Sequence, residues 1–309
     1  MGRVAFLIFG RDFFKRLNEQ INLPDEAVKV FLNTAENIEK NHELYVKFKS
    51  IIDGIPMPDC GNYLDSLVDV ENLAEEYNLN KYTMFGILVI AMFERLEPLY
   101  VKNGIDKKIF FDSAADFTCK VRECMKVNGV PGTDVGRWYR GFFNLSRFAL
   151  GRFQYEKKPV AHTVVFPDGA VVEEGTECLN FHIPSNGISI DDEVRYDSYK
   201  KAFEFFEDFR KDGVITFICH SWLIFPDNRE FLSPDSNILR FMNDFTCLQR
   251  EVKDPFKDAW RIFGAAARGP LEELPENTSL QRAVKQRMLN GKPMGMALGA
   301  FRFDGEKIF

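Results

Sequence analysis

The stretch Gly213–Leu223, read GVITFICHSWL, restricts the fold more than any other part of the chain. In an extended conformation Ile215, Phe217, Cys219 and Ser221 share one face, and Thr216, Ile218, His220 and Trp222 share the other. A strand that is apolar on both faces has to be covered on both sides by other elements. Its character changes at the C-terminal end, where His220, Ser221 and Trp222 follow one another. Open α/β sheets place their chemistry at such strand ends.

The chain on the N-terminal side is helical in pattern. Asp25–Asn41 carries Val28, Phe31, Leu32, Ala35 and Ile38 at helical spacing after Leu23-Pro24, a proline suited to a first turn. Lys81–Val101 is strongly apolar, but Glu94, Arg95 and Glu97 interrupt it before membrane length, so it reads as the central helix of a bundle. Asp106–Val127 repeats the pattern with Ile109, Phe110, Ala114, Phe117, Val121 and Cys124. Asn128-Gly129-Val130-Pro131-Gly132 ends it, and the boundary between a helical domain, residues 1–134, and a second domain, residues 135–309, is expected there.

Strand signals then dominate. After a helix containing Arg137-Trp138-Tyr139-Arg140, one strand is expected over Phe148–Tyr155 and a hairpin over His162–Phe166 and Ala170–Glu173 around Pro167-Asp168-Gly169. Cys178–Ile183 is a further strand. Ser189 with Asp192 three residues on marks a helix start whose inner face holds Tyr196, Tyr199, Phe203, Phe206 and Phe209. Beyond the focal strand, a helix start is expected at Ser233-Pro234-Asp235-Ser236, a strand over Leu248–Val252, a helix over Ser279–Leu289 and a last strand over Met294–Phe303.

Composition excludes several classes. A chain of 309 residues, 45% hydrophobic and 28% charged, is an ordinary globular protein, and its 31 Phe imply a thick aromatic core. A net charge of -6 argues against nucleic acid as the main partner. Most of the acidity lies before residue 135. By contrast, residues 137–158 hold Arg137, Arg140, Arg147, Arg152, Lys157 and Lys158 against Glu156 alone, a basic run open to an anionic cofactor. The six cysteines lack zinc-ligand or disulfide spacing and read as reduced thiols of a cytoplasmic protein, with no metal site expected. The apolar run Val4–Phe9 is too short to cross a bilayer, so no membrane partner is expected, and Phe6 stands where a myristoylation motif wants Ser or Thr.

The order strand, hairpin, strand, helix, strand, helix, strand, terminal strand resembles the GNAT N-acyltransferase fold. CHSWL at residues 219–223 and SNILRF at residues 236–241 resemble a bacterial family in which a helical N-terminal domain precedes a GNAT-like acyltransferase domain. The resemblance implies an α+β protein, a helical bundle followed by a GNAT-like mixed sheet flanked by helices. It also implies acyl transfer from acyl-coenzyme A to an amine of a small molecule or peptide, with no metal. In that fold two central strands part and the thioester lies between them; here these would be Cys178–Ile183 and Gly213–Leu223. Ser185, Asn186 and Gly187 would be the phosphate loop, with Arg147 and Arg152 as further cofactor contacts. The usual glycine pattern of that loop is absent, and Asp191, Asp192 and Glu193 stand in the first helical turn, where they suit the helix dipole but compete with phosphate.

Acyl transfer to an ammonium group needs a base and an oxyanion donor. His220 and His182 are the candidate bases, Glu251 the candidate carboxylate, and Ser221 a candidate donor or nucleophile. No glycine elbow surrounds Ser221, and Cys219 and His220 face opposite ways on a strand, which excludes a Cys-His pair made from them. Trp222, Asn237 and Arg240 are candidates for substrate contact. The rival readings are a non-catalytic GNAT-like binding module and a hydrolase using Ser221 or His220.

Overall fold

The computed structural model describes residues 7–309, and within them the chain divides into two compact units, the first ending at Ala149. The apolar run beginning at Val4 starts outside the described residues.

The first unit is a bundle of α1 (Arg11–Ile21), α2 (Asp25–Lys40), α3 (His42–Gly54), α4 (Tyr63–Glu76), α5 (Lys81–Lys102) and α6 (Lys107–Asn128), closed by a 3-10 turn, Gly136–Tyr139, and the short α7 (Arg140–Phe143). Helix α5 starts where the Asn80 side chain accepts from the Tyr82 and Thr83 N–H groups at 3.0 and 3.1 Å. Every residue from Thr83 to Phe93 is buried, as expected of a central helix. Phe93 makes edge contacts to Phe110, Phe117, Tyr139 and Phe143 at centroid distances of 6.2, 6.3, 6.1 and 5.5 Å. Tyr139 and Phe143 therefore belong to the bundle's core. The units divide after Ala149, not at residue 134, because the aromatic residues of 136–143 complete this core.

The rest of the chain forms β1 (Arg147–Leu150), within which the division falls, β2 (Phe153–Pro159), β3 (Val164–Val165), β4 (Val171–Val172), β5 (Glu177–His182), α8 (Asp192–Phe205), β6 (Ile215–Ser221), α9 (Asn237–Met242), β7 (Thr246–Lys253), α10 (Ala259–Phe263), α11 (Ser279–Leu289) and β8 (Met294–Phe303). The main sheet has the order β1-β2-β5-β6-β8-β7, with β3 and β4 as a separate hairpin. Strands β5 and β6 are parallel and joined through α8, while β2–β5, β6–β8 and β7–β8 are antiparallel. The fold is the expected α+β arrangement.

One face of the sheet carries the aromatic core. Phe217 stacks on Phe301 at 5.0 Å, and Tyr199 of α8 lies 4.9 Å from Phe301. Phe181 meets Phe241 and Phe245 at 6.0 and 5.5 Å. The opposite face is only partly covered. Val164, Phe166 and Val172 of the hairpin region bury Ile218, Cys178 and Ala300, whereas Thr216 is half-buried and His220 exposed.

Several expected boundaries move for local reasons. Trp222 leaves the focal strand because the Ser221 hydroxyl accepts from the Leu223 N–H at 3.1 Å and starts a 3-10 turn, Trp222–Ile224. The single strand expected over Phe148–Tyr155 is two, separated by a turn at Gly151 with φ 73°. Helix α8 is capped by Asp191 and not Ser189, while α9 is capped by Ser236, the last residue of its expected start.

Ending the bundle at Ala149 makes a testable difference. A fragment of residues 1–149 should fold cooperatively in urea, and one of residues 1–134 should not. In the full chain Phe93→Ala should cost about 3–5 kcal/mol by urea unfolding.

Candidate functional site

Strands β5 and β6 are paired over only two rungs, Leu179↔Phe217 and Asn180↔Ile218. Each continues on its outer side. His182 still pairs with Gln154 of β2, and His220 and Ser221 still pair with Leu298 and Ala297 of β8. The two central strands therefore part from each other beyond Asn180 and Ile218. Their backbone groups facing the gap have no cross-strand partner there. Because side chains alternate, His182 and His220 both stand two residues past the last rung and on the same face.

His182 is firmly held. Its Nε2 lies 2.9 Å from a Glu156 carboxylate oxygen and 3.1 Å from the Asn180 side-chain nitrogen, with histidine and glutamate each 23% exposed. His220 is looser, 43% exposed, with Nε2 3.7 Å from Glu251. Glu251 is ion-paired with Lys253, whose ammonium holds its carboxyl below the ordinary range. That charge suits Glu251 to stabilising an imidazolium and not to accepting a proton itself. The Cys219 thiol lies in the aromatic core on the other face, its pKa pushed well up by burial.

The loop after β5 carries the expected phosphate-binding positions. Ser185, Asn186 and Gly187 are exposed, and Gly187 has φ 77°, a conformation that favours glycine. The Asn186 side chain accepts from the Ile188 N–H at 3.1 Å, which leaves the Gly187 and Ser189 N–H groups without a bond to any described residue. Arg152, only 7% exposed, clamps the loop from beneath, donating to the Pro184 and Ser189 carbonyls at 3.0 and 3.2 Å. Asn237 of α9 donates to the Ser189 hydroxyl at 3.0 Å and accepts from Arg240, whose Nε lies 3.8 Å from Asp192. Further along, Asp191 caps α8 by accepting from Val194 N–H at 3.1 Å, and Asp192 pairs with the buried Arg195.

The structure thus brings Ser185, Asn186, Gly187, Arg152, Asn237 and Arg240 to one loop, and His182, His220 and Glu251 to one sheet face. Arg147 does not join them. It is buried in the first unit, 3.8 Å over the Trp138 ring and bonded to the Trp138 carbonyl at 2.7 Å. Ser221 Oγ caps its turn and bonds no histidine among the described residues, so it lacks the base that a nucleophilic serine needs. Trp222 packs against Phe256, with centroids 6.4 Å apart, as part of an apolar cluster. No group of three or more His, Cys, Asp or Glu among the described residues could hold a metal ion.

Glu156, Asn180 and Asp227 were not foreseen. Glu156 looked like the single acid of a basic run, and only the β2–β5 register places it beside His182. Asp227 accepts from Arg250 at 2.8 and 2.7 Å and from the buried Arg287 at 2.9 Å, fixing the segment that follows Ser221. Asn228, fully buried, donates to the Trp222 carbonyl at 2.9 Å in the same segment.

Residues 12–145 match the family of the N-acyltransferase N-terminal domain, and residues 147–301 that of the GNAT-like C-terminal domain. The chain belongs to this N-acyltransferase family. The acyltransferase is similar in fold to a solved acyltransferase in complex with decanoyl-CoA and teicoplanin, at 18% identity and TM-score 0.74 over 97% of this chain and 90% of that one. A mutant acyltransferase solved with octanoyl-CoA matches at 17% identity and TM-score 0.71, again over 97% and 90% of the two chains. An acyltransferase complex with decanoyl-CoA matches at 20% identity and TM-score 0.60, over 93% and 98%. No curated protein matches the chain. No helix among the described residues is long and apolar enough to cross a membrane.

Arg250 and Arg287 hold the Asp227 carboxyl below its ordinary range, first through the hydrogen bond from Arg250. Its stabilising contribution is then complete above about pH 4 and is lost as pH falls through the depressed folded value. Asp227→Asn should cost about 2 kcal/mol near neutrality, with the gap from wild type narrowing towards about pH 3 in urea unfolding.

Proposed function

We propose that this N-acyltransferase transfers an acyl group from acyl-coenzyme A to an amine of a small molecule or peptide in the gap between β5 and β6. The observation that carries this reading is the two-rung β5–β6 ladder that stops below His182 and His220. Two strand edges with free amide and carbonyl groups match an amide-bearing pantetheine arm, which pairs with them as a further strand would. The complexes of similar acyltransferases with decanoyl-CoA and octanoyl-CoA support the same co-substrate. Gly187 and Ser189 offer N–H groups to phosphate, and Arg152 presets the loop that presents them.

His182 is the better-placed base because Glu156 holds its ring. With Nε2 held beside the Glu156 carboxylate, the His182 imidazole takes a proton from the acceptor ammonium. The freed amine attacks the thioester carbon, and the tetrahedral intermediate gives up the remaining extra proton on nitrogen to solvent and expels the thiolate. The Glu156 carboxylate stabilises the imidazolium, which returns its proton to the thiolate. His220 and Glu251 line the same face and favour a cationic acceptor. We place the reaction in the cytoplasm, where the six free cysteines stay reduced.

A second reading, a module that binds acyl-CoA without turnover, draws on Asp191, whose carboxylate occupies the helix-start N–H that phosphate would otherwise use.

Calorimetric titration with coenzyme A and medium-chain acyl-CoA decides the first question, and absence of heat and of thermal shift with both defeats the proposal. Binding with no transfer across an amine panel would leave the second reading. In the active enzyme, His182→Ala should lower kcat by about 10²–10⁴, and His220→Ala by about tenfold. Arg152→Gln should raise KM for acyl-CoA about tenfold with kcat within about twofold, since it acts through the loop.

A further inference from the structure

Helix α4 has two apolar faces. Tyr63, Val70, Leu73 and Ala74 enter the bundle core, while Leu64, Leu67 and Val68 form a second stripe at i, i+3 and i+4, with Leu67 half-buried and the other two exposed. Leu64 and Val68 are 43% and 57% exposed. This stripe forms one wall of a cavity of about 480 Å³ within the first unit; Tyr82 and Phe85 of α5 and residues 134–137 complete the lining. The volume is in the range of small-molecule sites.

The walls are fixed by the backbone. A Cβ at Gly132 would lie 2.3 Å from the Tyr82 carbonyl, so only glycine lets the 131–137 segment close on the start of α5. Thr83 Oγ1 donates to the Pro131 carbonyl at 2.8 Å, and Thr133 N–H to the Tyr82 carbonyl at 3.0 Å.

Charge at the rim is selective. Lys81 is paired with Glu71 at 2.6 Å, and Asp134 accepts from the Asn128 amide at 3.1 Å. The Arg137 guanidinium bonds no described residue. The lining holds two acids, Glu71 and Asp134, and two bases, Lys81 and Arg137, so it has no net attraction for a polyanion such as coenzyme A. An apolar wall beside one uncommitted guanidinium suits a single anionic head on an apolar body.

We propose that this cavity in the helical unit is a second ligand site, separate from β5 and β6, for a monoanionic amphiphile of the medium-chain carboxylate type, with its head on Arg137 and its chain along Leu64, Leu67 and Val68.

The test is calorimetric titration of the full chain with decanoate. Saturable binding is expected, weakened about tenfold by Arg137→Gln and at least as much by Val68→Asp. Both positions are exposed, so both variants should keep the wild-type melting temperature and acyl-CoA affinity. Decyltrimethylammonium, with the same tail and the opposite charge, should bind at least tenfold more weakly. Absence of saturable decanoate binding overturns the proposal. So does binding that both variants leave intact, which places the ligand elsewhere, or equal affinity for the cation, which removes the role of Arg137.

Discussion

The parting of β5 from β6 after two rungs governs the position of every group at the candidate site. Adjacent parallel strands normally continue to pair, since a buried amide left without a partner costs about 1–3 kcal/mol. Here each strand is held by its outer neighbour and from below. Phe181 on β5 is wedged among Phe153, Tyr199, Phe241 and Phe245, and Phe217 on β6 is stacked on Phe301. The abundance of phenylalanine thus has a local purpose beyond bulk. It fixes the underside of the sheet so that the upper edges stay apart.

The charges beneath the loop follow a similar logic. Arg152 and Arg195 are both nearly inaccessible, and each is satisfied by local acceptors: two carbonyls for Arg152, and Asp244, Asp192 and the Ile190 carbonyl for Arg195. Neither is a surface charge waiting for an anion. They set the course of residues 184–195, and the groups this leaves at the surface of the loop are exposed backbone N–H groups and Arg240 at the edge. Buried charges placed this way are costly to remove singly, because the partner is then stranded.

Long-period features were legible in the sequence. The helices at α2, α5 and α6, the strands β5, β6 and β8, and helix α11 could be read from apolar spacing and punctuation alone. The caps were less legible, because several Ser and Asp residues compete for each helix start; Asp191 displaces Ser189, and within residues 233–236 it is the last residue that caps α9. The domain boundary was hidden because Tyr139, Phe142 and Phe143 are close in sequence to a glycine-proline break yet pack with Phe93 and Phe117. At the site, His182 and His220 stood out by chemistry. Glu156 did not, since its role depends on a cross-strand register that no local pattern encodes. Arg147 was misjudged for the converse reason: a cation in a basic run looked exposed, but it stacks on Trp138.

The distribution of thiols has a practical consequence. Five cysteines are buried and Cys247 alone is exposed, on β7, the edge strand that also carries Glu251. A maleimide dye would attach there without any engineered substitution, most readily in mildly alkaline buffer because partial burial raises that thiol's pKa. The native chain therefore has a built-in anchor for a fluorophore four residues along the strand from the carboxylate that faces His220, a ready reporter of events at the mouth of the gap.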